Sequence, residues 1–355
     1  MGGEVECPVA IDISKDRMKH FRYIFPVGQG GFAAEQIEDF TVVYDCGTVT
    51  STAMIESCID FLSHPVSHIN VLFISHFDKD HVNSLRYLLE HIKVQKAVTS
   101  FIPKDLRTVF GIYTNGAYTD IMALLGSNGV EEIEEIEGGE DDNNGRKYAY
   151  RTVWEWIAKS MMTGGDFATV MNELSVLGID MTRLDDAGYL EQEKEKVNNA
   201  FKKAFGNKGP NAKGLVMLSQ KCKGVDIDRV RVGQGFHWSD YLAWSEECDV
   251  SSCFYVGDVD ISSKNRNDVL KAFLNSRKRE DVLLLMQIPH HGSKSNVRTC
   301  FENDYPAKYY FVNDKDTKRI QKNTSLYGKL TKQRRLLVSR ALPQDIIVSE
   351  AEIRY

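Results

Sequence analysis

The chain has 355 residues, 42% of them hydrophobic and 26% charged, with a net charge of −6. That balance belongs to a globular protein and excludes the disordered, collagen-like and coiled-coil classes; the negative sign does not suggest a general nucleic-acid coat. No run approaches the roughly 18 apolar residues that a membrane span needs, the longest being Val282 to Ile288, closed by Pro289. The acidic start Met1-Gly-Gly-Glu-Val-Glu lacks the basic and apolar segments of a secretory leader. Seven cysteines at irregular spacings, with no C-x-x-C, argue against a disulfide framework and a zinc knuckle. A cytoplasmic chain with reduced thiols and no membrane partner is expected.

In chain order, short apolar runs bounded by turn residues read as buried strands: Phe21 to Phe25, Phe40 to Tyr44, Val71 to Ile74, Gly214 to Leu218, Cys253 to Val256 and Val282 to Met286. Val82, Leu85, Leu88, Leu89 and Ile92 fall on one face of a helix over Val82 to Ile92. The stretch 104–209 reads as a helical and loopy insertion within a single 1–355 domain. It contains Glu131 to Asp142, eight acidic residues in twelve, expected as a solvated loop. The C-terminal segment 314–355 is basic: Asp314 to Arg340 carries nine Lys/Arg against two Asp. That stretch is either a solvated helix face or a surface steering a polyanion, through Lys315, Lys318, Arg319, Lys322, Arg334 and Arg335. Alternating strands and helices indicate a layered α/β architecture.

Four of the apolar strands run straight into ionisable residues: Asp45; His76, Asp78, Asp80 and His81; Asp258; and His290-His291-Gly292-Ser293. Ligands of layered α/β folds bind where strand ends and loops converge, so these groups are expected at one cleft. A lone aspartate after a strand is ordinarily a turn or a cap. Four His/Asp groups in six residues after a buried strand are different, because like charges taken out of water repel. A divalent cation removes the conflict, since imidazole and carboxylate are its ligands.

The pattern Asp45, then H-x-D-x-D-H at 76–81, then Gly257-Asp258, then a late histidine resembles the metallo-β-lactamase superfamily. It is similar above all to the DNA-processing domain of the ComEC competence proteins and their soluble relatives. Val27-Gly28-Gln29-Gly30 resembles that group's V-G-Q-G-D turn, and His290 to Ser293 its H-H-G-S segment. Asn211 to Met217 resembles N-x-x-S-x-V, with Gly214 in place of Ser and Gly31 in place of the Asp after V-G-Q-G. The resemblance covers about residues 20–100 and 205–315. It implies an α+β, αββα four-layer sandwich that works as a metal-dependent phosphodiesterase, most simply a nuclease with a nucleic acid as partner. By the same resemblance one cation, manganese or zinc with magnesium as a further option, is held by His76, Asp78 and a bridging Asp258. A second is held by Asp80, His81, Asp258 and one of His290 and His291. A metal-bound hydroxide would attack, with Asp80 orienting it and Asp45 orienting a ligand histidine. The remaining histidine, with Ser293 and Ser295, would serve the phosphate or the leaving oxygen. No histidine lies between His91 and His237, so the superfamily's third-motif histidine is missing unless His237 replaces it. The first site is therefore expected to be oxygen-rich and to favour manganese. Two alternatives remain open: hydrolysis of a small phosphodiester such as a cyclic nucleotide or phosphorylcholine ester, and an inactive binding or regulatory module.

Overall fold

The structure is a computed structural model and describes residues 17–139, 145–235, 246–293, 295–297, 301–314 and 324–354. In chain order the strands of its first half are β1 (Arg17–Ile24), β2 (Gly30–Ile37), β3 (Phe40–Thr48), β4 (His68–Phe73), β5 (Lys93–Ser100), β6 (Glu132–Ile136), β7 (Arg146–Tyr150) and β8 (Trp154–Ser160). Those of the second half are β9 (Leu215–Lys221), β10 (Asp226–Gln234), β11 (Glu246–Cys248), β12 (Cys253–Tyr255), β13 (Leu283–Gln287), β14 (Ala307–Asn313), β15 (Leu336–Ser339) and β16 (Ile347–Arg354). They form a nine-stranded sheet in the order β11-β10-β16-β1-β2-β3-β4-β5-β6 and a seven-stranded sheet in the order β15-β14-β13-β12-β9-β8-β7. Every apolar run read as a strand lies in one of them.

Side-chain alternation sorts these strands into layers. On β4, Val71 and Phe73 face the second sheet, while Leu72 faces outward. Against that outer face pack α1 (Thr52–Ser63), α3 (Leu85–His91), α4 (Arg107–Tyr113), α5 (Ala117–Ser127), α6 (Gly164–Val176), α7 (Ala187–Gln192) and α8 (Lys194–Phe205), with the short α2 (Lys79–Val82) ahead of α3. The second sheet is covered by α9 (Lys264–Arg277), α10 (Phe301–Asp304) and α11 (Thr324–Lys332). The result is the four-layer αββα sandwich. Helix starts are locally encoded: the Ser51 hydroxyl accepts from Met54 N at α1, and Thr163 with Asp166 closes a capping box at α6.

Between the sheets the core is apolar except for one charged plug. The Glu35 carboxylate, fully buried, accepts from Arg22 Nε (2.6 Å), Tyr255 OH (2.7 Å), Trp156 Nε1 (2.7 Å), Ser219 Oγ and His20 Nε2 (3.0 Å). Burial alone would raise its pKa, but Arg22 and His20 outweigh burial and hold it well below the usual carboxylate range. Burial lowers the pKa of His20, which stacks on Trp154 at 4.0 Å.

Two stretches differ from their sequence reading. The region 104–209 does supply helices, yet it also supplies β6, β7 and β8 to the sheets. Much of Glu131 to Asp142 is strand rather than loop: β6 is a polar edge strand whose Glu132 and Glu134 pair with Lys96 (2.9 and 3.1 Å), and residues 140–142 lie outside the described residues. Segment 314–355 supplies β15 and also β16, which sits inside the first sheet between β1 and β10. Among the described residues no helix is long and apolar enough to cross a membrane, and Cys46, Cys58, Cys222 and Cys253 are free thiols.

Candidate metal centre

Four strand ends meet where the sheets abut. β3 carries Asp45; the loop after β4 carries Ser75, His76 and Asp78, and α2 carries Asp80 and His81. The turn after β12 carries Asp258, and the turn after β13 carries His290 and His291. The last two turns are tied together, because Gln287 Oε1 accepts from Val256 N (2.8 Å) and Gly257 N (2.9 Å), and His290 N donates to Gly257 O (3.0 Å).

Asp258 is the hub. Its Oδ1 lies 3.4 Å from His81 Nε2 and 3.7 Å from His291 Nε2; its Oδ2 lies 3.8 Å from His76 Nε2 and 3.4 Å from His290 Nδ1. Asp80 Oδ2 is 3.2 Å from His291 Nε2, and Asp78 Oδ2 is 3.9 Å from His76 Nε2. His76, His81 and Asp258 offer atoms within 4.8 Å of one another, as do Asp80, His81 and His291, and His76, Asp78 and Asp80. Asp78 and His290 are the most open of these groups, with side chains 48% and 38% exposed.

The residues present fit divalent cations. His76 Nε2, His81 Nε2 and Asp258 Oδ1 are buried and make no hydrogen bond, a costly arrangement for polar atoms with no ligand to bind. Their other sides are fully occupied. Asp45, itself buried, accepts from Ser75 N (2.7 Å), Ser75 Oγ (2.7 Å) and His81 Nδ1 (2.8 Å). Ser75 Oγ in turn accepts from His76 Nδ1 (2.9 Å), and Asn313 O accepts from His291 Nδ1 (2.9 Å). With Nδ1 engaged from behind on all three imidazoles, Nε2 is the nitrogen each turns to the hub, the one left to ligate a metal. The charges agree. Burial would lower the pKa of His81, but Asp45 and Asp258 outweigh it and raise the value far above the usual histidine range. Burial would raise the pKa of Asp258, yet His291, His81 and His76 hold it far below normal. The pocket thus draws positive charge, which protons supply when no cation does.

The residues read from the sequence as ligands meet at this centre, and Asp45 bonds to His81 Nδ1 from behind. Ser293 is on the rim, with its hydroxyl paired to Ser295 (3.0 Å). His237 lies outside the described residues. The sequence reading missed the partners that hold the ligands. Ser75 stands inside the motif itself; Asn211 donates from Nδ2 to Asp78 Oδ2, and Gln29 Nε2 lies 3.5 Å from Asp80 Oδ2. Both departures from the expected pattern have steric causes. A Cβ at Gly31 would stand 2.8 Å from His81 Nδ1, and one at Gly214 would stand 2.6 Å from Ser75 O. The basic stretch is partly structural. Lys329 pairs with Glu302, Arg340 with Asp345 (2.5 Å), and Arg335 bonds to Ala307 O and Lys308 O (3.1 Å). Arg335 is thus anchored to two backbone carbonyls and keeps its charge. Lys332 and Arg334 are exposed, and Lys315, Lys318, Arg319 and Lys322 lie outside the described residues.

Fold and site together define an αββα sandwich with a buried His/Asp cluster, fit for divalent cations, where its sheets meet. Residues 34–118 match the family described as the metallo-beta-lactamase superfamily, and the chain has that superfamily's fold. No curated protein matches the chain. Among solved structures it is similar to the chemotaxis sensor ODP, at 15% identity over 40% of this chain and 49% of that one, with a TM-score of 0.27. It is similar to a mutant of the CmlA beta-hydroxylase at 8% identity over 95% and 54%, with a TM-score of 0.44. It is similar to the short form of human tRNase Z at 10% identity over 82% and 92%, with a TM-score of 0.41. The aligned part spans about half the length of the first two.

Proposed function

We propose that this chain is a cytoplasmic, metal-dependent phosphodiesterase of the ComEC-like kind, acting on nucleic acid as a nuclease. The observation that carries the reading is the set of buried, unbonded atoms His76 Nε2, His81 Nε2 and Asp258 Oδ1, held toward one point from behind. An inactive module has no use for that arrangement, which folding alone would not favour. The ComEC-like part of the reading is supported by pattern elements beyond the H-x-D-x-D-H motif. Gln29 of the V-G-Q-G turn, Asn211 and the His-His-Gly-Ser turn all reach ligand residues.

Two divalent cations, manganese or zinc with magnesium as a third option, would be held on either side of Asp258: one by His76 and Asp78, the other by Asp80, His81 and His291. When bound, such ions neutralise charge on a phosphodiester and lower the pKa of water. The protein's own part is orientation. Asp45 and Ser75 fix the imidazoles of His76 and His81, the Asn313 carbonyl fixes His291, and Asn211 pins Asp78. Asp80, on the partly open side beside Gln29, orients the attacking water. Ser293 on the rim donates to a phosphate oxygen, and solvent protonates the leaving oxygen. Exposed Lys332 and Arg334, with the half-buried Arg335, are the described residues of the basic stretch that carry no paired carboxylate and would attract a polyanion.

The test is digestion of linear and circular DNA, RNA and a cyclic-nucleotide panel, with manganese, magnesium or zinc added separately to metal-free protein. Cleavage of a polynucleotide is expected. Cleavage of cyclic nucleotides alone would move the substrate to a small phosphodiester, and no cleavage with any ion would overturn the reading.

A further inference from the structure

Beside the metal centre, the end of β8, the end of α8 and the starts of α6 and α9 enclose a cleft of about 530 Å3. In a chain of net charge −6, three cations line it, Lys159, Lys213 and Arg266, against one carboxylate, Asp268. Lys159 is held there although only 4% exposed, with its Nζ donating to Gly139 O (3.3 Å). Lys213 Nζ donates to Asp166 Oδ1 (2.5 Å), and Arg266 donates to Asp260 Oδ2 (2.8 Å) and Phe205 O (3.0 Å). These bonds fix Lys213 and Arg266 without exhausting them, because an ammonium has three donors and a guanidinium five.

The start of α9 adds to this field, since Ser263, Asn265 and Arg266 all line the cleft. The first N–H groups of a helix have no partner within it, and the Ser263 side chain does not cap them. The first turn holds no acidic residue; it holds Lys264 and Arg266 instead. Cations at the positive end of a helix weaken it unless an anion lies there. The cleft also adjoins the metal centre. Asn211, which donates to Asp78, precedes Lys213 by two residues, at most about 7 Å of chain. Asp260, two residues after Asp258, donates from its backbone N to Ala212 O (3.1 Å). A nucleic-acid strand carries a phosphate about every 3.4 Å along a helix axis. A phosphate in the cleft therefore lies within a few nucleotides of a bond at the metal centre. A cyclic mononucleotide, with its single phosphate, cannot fill both places.

We propose that this cleft binds a backbone phosphate of a polynucleotide, a few nucleotides from the one that is cleaved. The proposal rests on the phosphodiesterase reading above and makes the substrate a polymer. Lys213, Arg266 and the first N–H groups of α9 hold the phosphate, and the buried Lys159 ammonium supplies further positive charge behind it.

The test changes the exposed Asn265 in the first turn of α9. Asn265→Asp keeps the shape and places a negative charge at the helix start, so its melting temperature should hold or rise; Asn265→Lys should lower it slightly. Binding of a labelled single-stranded oligonucleotide to metal-free protein, followed by fluorescence anisotropy across a salt series, should run in the opposite order. Asn265→Asp is expected to bind about tenfold more weakly than wild type. Asn265→Lys should bind more tightly, with a slope of log affinity against log salt steeper by about 0.7. Equal binding by all three proteins, or binding that follows their stability, would overturn the proposal. Hydrolysis of bis(4-nitrophenyl) phosphate by the wild type, loaded with manganese or zinc, tests the phosphodiesterase reading separately. Hydrolysis together with unchanged binding would remove the cleft's role and leave that reading standing. No hydrolysis with either ion would overturn the reading on which the proposal rests.

Discussion

Replacing Asp45 with asparagine isolates the orienting network from the ligands. Asp45 is fully buried at φ +58°, a conformation that asparagine accepts, so the substitution changes charge and hydrogen bonding but not shape. The wild-type carboxylate takes three donors, two from Ser75 and one from His81 Nδ1. With Oδ1 kept on Ser75 N, the new amide places an N–H group opposite His81 Nδ1. That ring must then move its proton to Nε2 or leave two donors face to face. Either outcome spoils Nε2 as a ligand. The loss of an orienting partner weakens metal binding by roughly 10–100-fold, equivalent to about 1.4–2.8 kcal/mol. The lost bond to a charged group costs about 1.5–3 kcal/mol of metal-free stability. Calorimetric metal titration and a thermal melt of the same preparations measure both. Unchanged affinity at both sites, with an unchanged melt, would refute the orienting role.

Asp258→Asn removes the hub's charge at nearly constant volume; turnover in the digestion assay should vanish while the circular dichroism spectrum stays native. Gly31→Ala, at a position that ligates nothing, should weaken metal binding because its Cβ would stand 2.8 Å from His81 Nδ1; metal titration checks this. Stability should fall on acidification in two stages. His20 has a lowered pKa through burial, so the unfolded chain gains a proton first as pH drops below about 6.5. Glu35, also lowered, contributes stability that is present above its unfolded value of about 4.3 and lost as pH falls below it. Melts from pH 8 to 3 should show the lower stage flattened in Glu35→Gln; an identical slope in that variant would assign the acid loss elsewhere.

The legible parts of the fold were those where one signal dominated. Val71 to Ile74 and Val282 to Met286 are apolar on both faces and could hardly be anything but buried strands. β6 was hidden because Glu-Ile-Glu-Glu-Ile carries its charge on an edge, where Lys96 neutralises it. β16 was hidden because its alternation follows a basic stretch that drew attention to charge. At the site, ligand residue types were legible from their clustering after strands, since burial without a cation makes such clusters costly. Their supports were less so. Asn211 and Gln29 sit in turns distant in the chain, and the Asn313 contact uses a backbone carbonyl that any residue provides. The turn that brings both His290 and His291 to the Asp258 carboxylate depends on backbone dihedrals that the pair of letters does not encode.

The central claim is that two divalent cations flank Asp258. Anomalous diffraction from crystals grown with manganese addresses it most directly. The account predicts two peaks about 3.5–4 Å apart, one beside His76 and one beside His81 and His291, joined by the Asp258 carboxylate. Crystals with full manganese in the solvent and no peak at Asp258, or a single peak remote from both histidine sets, would contradict it.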